Sequence, residues 1–156
     1  MRYQGGVRAP VYAGSLLGAI SLALTGCGGD GGGRVWAGPP EPGADGAVAV
    51  DGFAAFQDEV DEPWERSAAM AAAEFLRLDG RTVQRTTIES TAAAEGAGPQ
   101  TVVVTLDGLF DDSVRAERWT LAFEQTDDAY RLTSARRDLR CQPGRGHDDF
   151  SPEPCV

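Results

Sequence analysis

The second half of the chain alternates between apolar and polar residues with the period of two that is typical of half-buried β-strands. The clearest run places Trp119, Leu121 and Phe123 on one side and charged or hydroxyl residues on the other. A stretch rich in β-branched residues precedes it and predicts a further strand. The predicted strands cover residues 82–91, 101–109, 115–124 and 130–140.

A helical spacing comes before the strands. The apolar stripe at this spacing consists of Trp64, Ala68, Ala71, Phe75 and Leu78. Asp61 is placed to cap the first turn, and Gly80 is suited to the left-handed conformation that ends many helices. The pattern therefore predicts one long helix over residues 61–80, with a possible short helix over 53–60 before it.

These elements predict an α+β domain in which the long helix packs on a four-stranded antiparallel meander, because the helix stripe is the available cover for the apolar face of the sheet. The element order resembles the cystatin-like or NTF2-like class. The resemblance covers about residues 53–140 and implies a curved sheet wrapped on a helix. In ketosteroid-isomerase-like relatives of this class an acid lies in a concavity of the sheet, and Asp107 beside Arg118 and Arg136 is a candidate for that position. Surface ion pairs across strands explain the same three residues more simply.

An uncharged apolar run occupies residues 11–24 and follows Arg2 and Arg8. A basic segment followed by an apolar run of this length is typical of an export signal. The run is too short for a transmembrane helix, which needs roughly 20 apolar residues. The sequence thus predicts export without a permanent membrane-spanning segment.

The apolar run ends in Leu24-Thr25-Gly26-Cys27, which resembles the lipobox of bacterial lipoproteins. The resemblance implies that residues 1–26 are a signal peptide and that Cys27 becomes the lipidated first residue. The protein is then expected in the cell envelope, attached by its lipid to the membrane and facing outside the cytoplasm. The alternatives are a secreted protein with Cys27 as a spare thiol and a chance cysteine.

The chain is acidic, with 24 Asp and Glu against 14 basic residues and a net charge of −10. Such a surface repels nucleic acid and favours solubility. The basic residues are all arginine, and Asn is absent. We attribute this to coding bias and predict no nucleic-acid partner.

Composition divides the rest of the chain into three parts. Residues 27–51 are rich in Gly and Pro and are predicted to be a flexible tether. Residues 52–140 form the predicted α+β domain. Residues 141–156 form a tail rich in Pro and Gly that can continue neither strand nor helix.

The tail begins and ends near Cys141 and Cys155, which predict a disulfide in an exported chain. A thiol pair for a metal and intermolecular pairing are the alternatives.

His147 is the only histidine and lies inside this tail beside Asp148 and Asp149. One imidazole and two carboxylates suit a divalent cation or a general base. A solvated loop explains the same three residues, so they are weak metal candidates. The Asp-Asp pairs at 111–112 and 127–128 resemble half of a calcium site, but turns select Asp for other reasons.

Two functions follow from these observations. The first is a non-catalytic binding or envelope-assembly module with a lipid anchor, which needs no cofactor and has a possible envelope protein as partner. The alternative is a small NTF2-like hydrolase or isomerase with a pocket between helix and sheet. The lipobox and the lack of a catalytic residue set favour the first.

Overall fold

The computed structural model describes residues 34–91 and 98–156. These residues form an α+β unit, as predicted, with one five-stranded antiparallel sheet and two short α-helices. The strands are β1 (Ala47–Val48), β2 (Val83–Thr91), β3 (Gln100–Leu109), β4 (Val114–Thr126) and β5 (Ala129–Cys141). The helices are α1 (Asp51–Gln57) and α2 (Ala68–Phe75), with 3₁₀ turns at Pro63–Arg66 and Leu78–Gly80.

The sheet has the strand order β1-β5-β4-β3-β2. Strands β2 to β5 follow one another as the predicted meander, and all four lie within a few residues of their predicted bounds. In the register, Val104 of β3 faces Trp119 of β4, and Trp119 faces Arg137 of β5. The alternating apolar side chains of β3 and β4 therefore form one face, which is the face covered by the helices.

The prediction of four strands is wrong by one, because β1 adds to the outer edge of β5. Ala47 pairs with Arg136, and Val48 pairs with Ala135. A turn at Gly46 brings β1 to this edge with a φ of +82°. A Cβ at Gly46 would lie 2.6 Å from the carbonyl oxygen of Arg137, so both the conformation and the close approach require glycine.

The segment predicted as a tether, residues 27–51, is packed on the domain from Trp36 onward. The Nε1 of Trp36 donates a hydrogen bond of 2.9 Å to the carbonyl oxygen of Phe75. Its ring lies edge-on to Phe53 with centroids 5.1 Å apart and stacks on Phe75 at 6.1 Å. Residues 36–51 are therefore part of the folded domain, and Trp36 packs on the core.

The prediction of one long helix is also wrong. Ser67 has extended backbone angles and its hydroxyl accepts a bond from the amide of Met70, so it caps a new helix in the middle of the predicted one. Arg77 takes a left-handed conformation and ends that helix before Leu78. The stripe still faces the core, since Ala68, Ala71 and Phe75 are buried.

Among the described helices, none is long and apolar enough to cross a membrane.

The core between the helices and the sheet is dominated by aromatic rings. Phe53 and Phe75 meet edge-on at 5.2 Å, and Phe75 meets Trp119 edge-on at 6.3 Å. Trp64 stacks on Phe56 with centroids 6.1 Å apart. Each ring buries a large apolar area, and the contact between Phe75 and Trp119 joins the helical layer to the sheet.

Candidate functional site

The C-terminal tail contains the predicted cysteine pair. The sulfurs of Cys141 and Cys155 lie at disulfide distance, and their Cα atoms are 5.5 Å apart, which is the spacing that a disulfide requires. The tail also pairs with the sheet, because Ser151 and Leu139 exchange two backbone hydrogen bonds of 2.7 and 2.9 Å. The tail is thus fixed at both its covalent link and its middle.

The turn before the histidine depends on Gly146. Its φ is +139°, and a Cβ there would lie 2.9 Å from the Cys141 sulfur. Side chains other than hydrogen are strained at this conformation and in this space. Gly146 therefore lets the tail close tightly over the cysteine pair.

Phe150 anchors the middle of the tail to the sheet face opposite the helices. The guanidinium carbon of Arg118 lies 3.8 Å from the Phe150 ring centroid, and that of Arg140 lies 4.9 Å away. Cation–π contacts of this geometry stabilise modestly at exposed sites. The tail is therefore packed on the domain, and Arg118 is occupied in that packing.

His147 lies inside the tail with both ring nitrogens against backbone carbonyls. Its Nδ1 is 2.8 Å from the carbonyl oxygen of Asp149, and its Nε2 is 2.9 Å from that of Glu153. Because carbonyl oxygens only accept, both contacts are hydrogen bonds only when both ring nitrogens carry a proton. The Glu153 and Asp149 carbonyls accordingly raise the pKa of His147. In its protonated form the ring has no free lone pair with which to act as a general base.

The weak metal candidates His147, Asp148 and Asp149 do not form one cluster of ligand atoms in the described structure. Among the described residues, the ligand atoms that converge within 4.8 Å belong to Cys141, His147 and Cys155, while the carboxylates of Asp148 and Asp149 are outside this group. Sulfurs joined in a disulfide offer no thiolate to a metal. The cluster is consistent with a metal only if the cysteine pair is reduced.

Asp107 lies on the sheet face opposite the helices rather than in a concavity beneath them. Its carboxylate is 2.8 Å from Arg85 on β2 and 3.4 Å from Arg140 on β5. The hydrogen bond from Arg85 and the nearby positive charges hold the pKa of Asp107 below its usual range. It is therefore an ionised partner in cross-strand pairs, and a general acid would need the opposite pKa shift.

The paired aspartates are turn residues. Asp111 accepts bonds of 2.7 Å from the amides of Ser113 and Val114, which lower the pKa of its carboxyl. Asp127 has a φ of +54° and forms the turn between β4 and β5 with Asp128. Both pairs thus have the conformational role that their sequence context favoured.

The space between helices and sheet, where the enzyme alternative requires a pocket, is occupied by aromatic side chains. Phe75, Trp119 and Phe123 are each at most 1% exposed. Among the described residues, clefts of other kinds are present. One of about 410 Å³ borders Gln57 and Glu65, and one of about 290 Å³ borders Arg81 and Arg137.

Polar groups at both clefts are already engaged in holding the fold. The buried Gln57 donates to the Tyr130 carbonyl at 2.9 Å and accepts from the Leu132 amide at 3.3 Å. At the second cleft, Arg81 and Arg137 lie 3.5 and 4.0 Å from Glu117. Gln57 is not among the residues that the sequence predicted to be functional. The feature that could have identified it is a polar residue at a position where a short helix faces the core.

Cys27 and the rest of the lipobox lie outside the described residues. Comparison of the chain with family models, curated proteins and solved structures found no match. The arguments for function therefore rest on the residues of this chain.

Proposed function

We propose that this protein is a lipid-anchored extracytoplasmic protein that serves as a non-catalytic binding or envelope-assembly module. The observation that carries the proposal is Leu24-Thr25-Gly26-Cys27 directly after an uncharged apolar run. Two or more acyl chains on Cys27 hold a protein stably at a membrane, since each buried CH₂ contributes about 0.8 kcal/mol. The cysteine pair at disulfide distance supports an oxidising compartment.

The packing of Trp36 on the core bears on the length of a tether that starts at Cys27. Trp36, which is packed on the core, follows Cys27 by nine positions. A fully extended chain of that length spans at most about 30 Å. Under this proposal the segment that links the lipid to the domain is therefore shorter than a tether that reaches to residue 51.

The state of the catalytic candidates supports binding over catalysis. The His147 nitrogens face two carbonyl oxygens, and Asp107 is held ionised by arginines. The helix–sheet space that an NTF2-like pocket uses contains buried aromatic rings. The resemblance to the cystatin-like or NTF2-like class remains a prediction about fold and does not by itself imply activity.

Intact-mass measurement of the full chain tests the anchor. We expect the wild type to float with membranes and to begin at Cys27 with the added mass of its acyl groups. The variant Cys27→Ala should lose the acyl mass and the membrane attachment. The control Cys155→Ala removes a different sulfur and should keep the acyl mass and the membrane attachment. Recovery of an unmodified, full-length wild-type chain from the soluble cell interior contradicts the proposal.

An activity screen tests the non-catalytic part separately. The purified chain is assayed against ester, thioester and ketosteroid substrates, and no turnover above the buffer rate is expected. Robust turnover that His147→Ala abolishes, with the fold retained by circular dichroism, contradicts a purely binding role.

A further inference from the structure

Strand β2 forms one edge of the sheet and is unusually exposed. Its eight residues from Gln84 to Thr91 are exposed to solvent on both faces, and Val83 at the start of the strand is the residue that packs against the core. Ile88 is 42% exposed on the face toward the helices. Among the described residues, the sole strand paired with β2 is β3. Within the described part of the chain, the other edge of β2 therefore presents backbone groups without a strand partner, which can pair with another strand.

The charges on this strand are self-complementary. Arg85 and Glu89 project from the same face of β2, because they are four positions apart and side chains alternate along a strand. Thr87 lies midway between them. In an antiparallel pair of two copies centred on Thr87, each Arg85 faces the Glu89 of the other copy, so the pairing forms two opposite-charge contacts.

We propose that β2 pairs antiparallel with β2 of a second copy of this chain about a two-fold axis at Thr87. The two sheets then form one continuous ten-stranded sheet with both helical layers on the same side. On the helical side, Ile88 faces Thr86 of the second copy and loses part of its exposure. Such an interface is isologous, as in most homodimers.

Other registers of the same pairing lose the charge match. Centring the pair on Arg85 or on Glu89 places identical charges directly opposite each other, which destabilises a strand pair. Centring it on Thr86 leaves both charged residues without an opposite charge. Two paired edge strands form a small interface, so the dimer exists in a concentration-dependent equilibrium with the monomer.

Site-directed cross-linking in the full chain tests the register. Thr87→Cys places two cysteines directly opposite, where antiparallel Cα atoms lie about 4.5 to 5.5 Å apart and a disulfide fits. Thr91→Cys is the matched control, because the two copies of residue 91 are about 26 Å apart in this register. The wild-type chain measures the background from Cys27. We expect a disulfide-linked dimer with Thr87→Cys alone after mild oxidation.

Charge reversal tests the contacts that define the pairing. In the Thr87→Cys background, Glu89→Arg places two pairs of arginines opposite each other, and Arg85→Glu places two pairs of carboxylates. Each variant alone should cross-link about tenfold less than the parent. Co-expression of the two variants with different tags restores both opposite-charge pairs, so we expect a mixed dimer at the parental yield.

Four outcomes overturn the inference. The first three are equal cross-linking at residues 87 and 91, unchanged self-cross-linking of both charge variants, and a failure of the mixed pair to recover while thermal melts show both variants folded. A cross-link from residue 87 to a different protein also overturns it, since the occupant is then not a second copy. The measurement does not depend on lipidation of Cys27, so it can fail or succeed independently of the proposed function.

Discussion

Replacement of Trp36 by alanine tests whether the folded domain begins well before residue 51. In the structure the indole contacts Phe53, Phe56 and Phe75 and donates its N–H to the Phe75 carbonyl at 2.9 Å. A residue in a flexible tether makes no such contacts. The substitution therefore should destabilise the domain if the fold described here forms in solution.

The expected magnitude follows from the burial of the ring. Full removal of a core tryptophan side chain costs about 3 to 5 kcal/mol. Trp36 is half-buried, so the lower end applies, about 3 kcal/mol, of which about 1 kcal/mol reflects the lost hydrogen bond and the unpaired carbonyl. For a domain of this size that corresponds to a decrease in Tm of about 10 °C. Trp36→Phe keeps the ring contacts and should lose about 1 kcal/mol.

Urea unfolding followed by far-ultraviolet circular dichroism measures these differences, because that signal does not depend on tryptophan fluorescence. The neighbouring Val35 is 70% exposed and provides the control. Val35→Ala should change the free energy of unfolding by less than about 0.5 kcal/mol. A Trp36→Ala midpoint indistinguishable from that of Val35→Ala would refute the placement of this segment on the core.

Three further outcomes are expected. Cys155→Ser opens a loop of about 15 residues and should lower the free energy of unfolding by about 3 kcal/mol, measured against the oxidised wild type by urea titration. Gln57→Leu leaves the Tyr130 carbonyl and the Leu132 amide buried without partners and should cost about 2 to 4 kcal/mol by the same method. Because the folded pKa of His147 is raised, its contribution to stability is fully present below pH 6.5 and is lost as pH rises through the folded pKa. Thermal melts between pH 5 and 8 should show this loss in the wild type and not in His147→Gln.

Local patterns in the sequence were sufficient for the strands and turns. Alternation around Trp119 and Val104 predicts which side chains face the core, because a strand places successive residues on opposite faces wherever it lies in the sheet. The turn roles of Asp111 and Asp127 follow from their preference for hydrogen bonding to nearby amides. The pairing of Cys141 with Cys155 follows from their position around a segment that cannot form regular structure.

Side-chain hydrogen bonds to the backbone and contacts between distant segments account for what the local pattern did not predict. Ser67 ends the 3₁₀ turn at Pro63–Arg66 and caps α2, because its hydroxyl accepts a hydrogen bond from the Met70 amide. The helical spacing of apolar residues does not show that the helix is interrupted there. His147 has the residue types of a site around it, but the path of the tail turns its nitrogens toward backbone carbonyls. Residue type alone gives no information about that path.

The sequence by itself determined the α+β class, the four long strands and the cysteine pair, because each depends on residues close together in the chain. The lipid anchor stays a prediction from the same kind of local pattern. The tertiary structure alone decided that Trp36 joins the core, that Ala47–Val48 extend the sheet beside β5, and that β2 is left at its edge. These features depend on which distant segments meet when the aromatic rings are buried, and the pattern of neighbouring residues does not specify those partners.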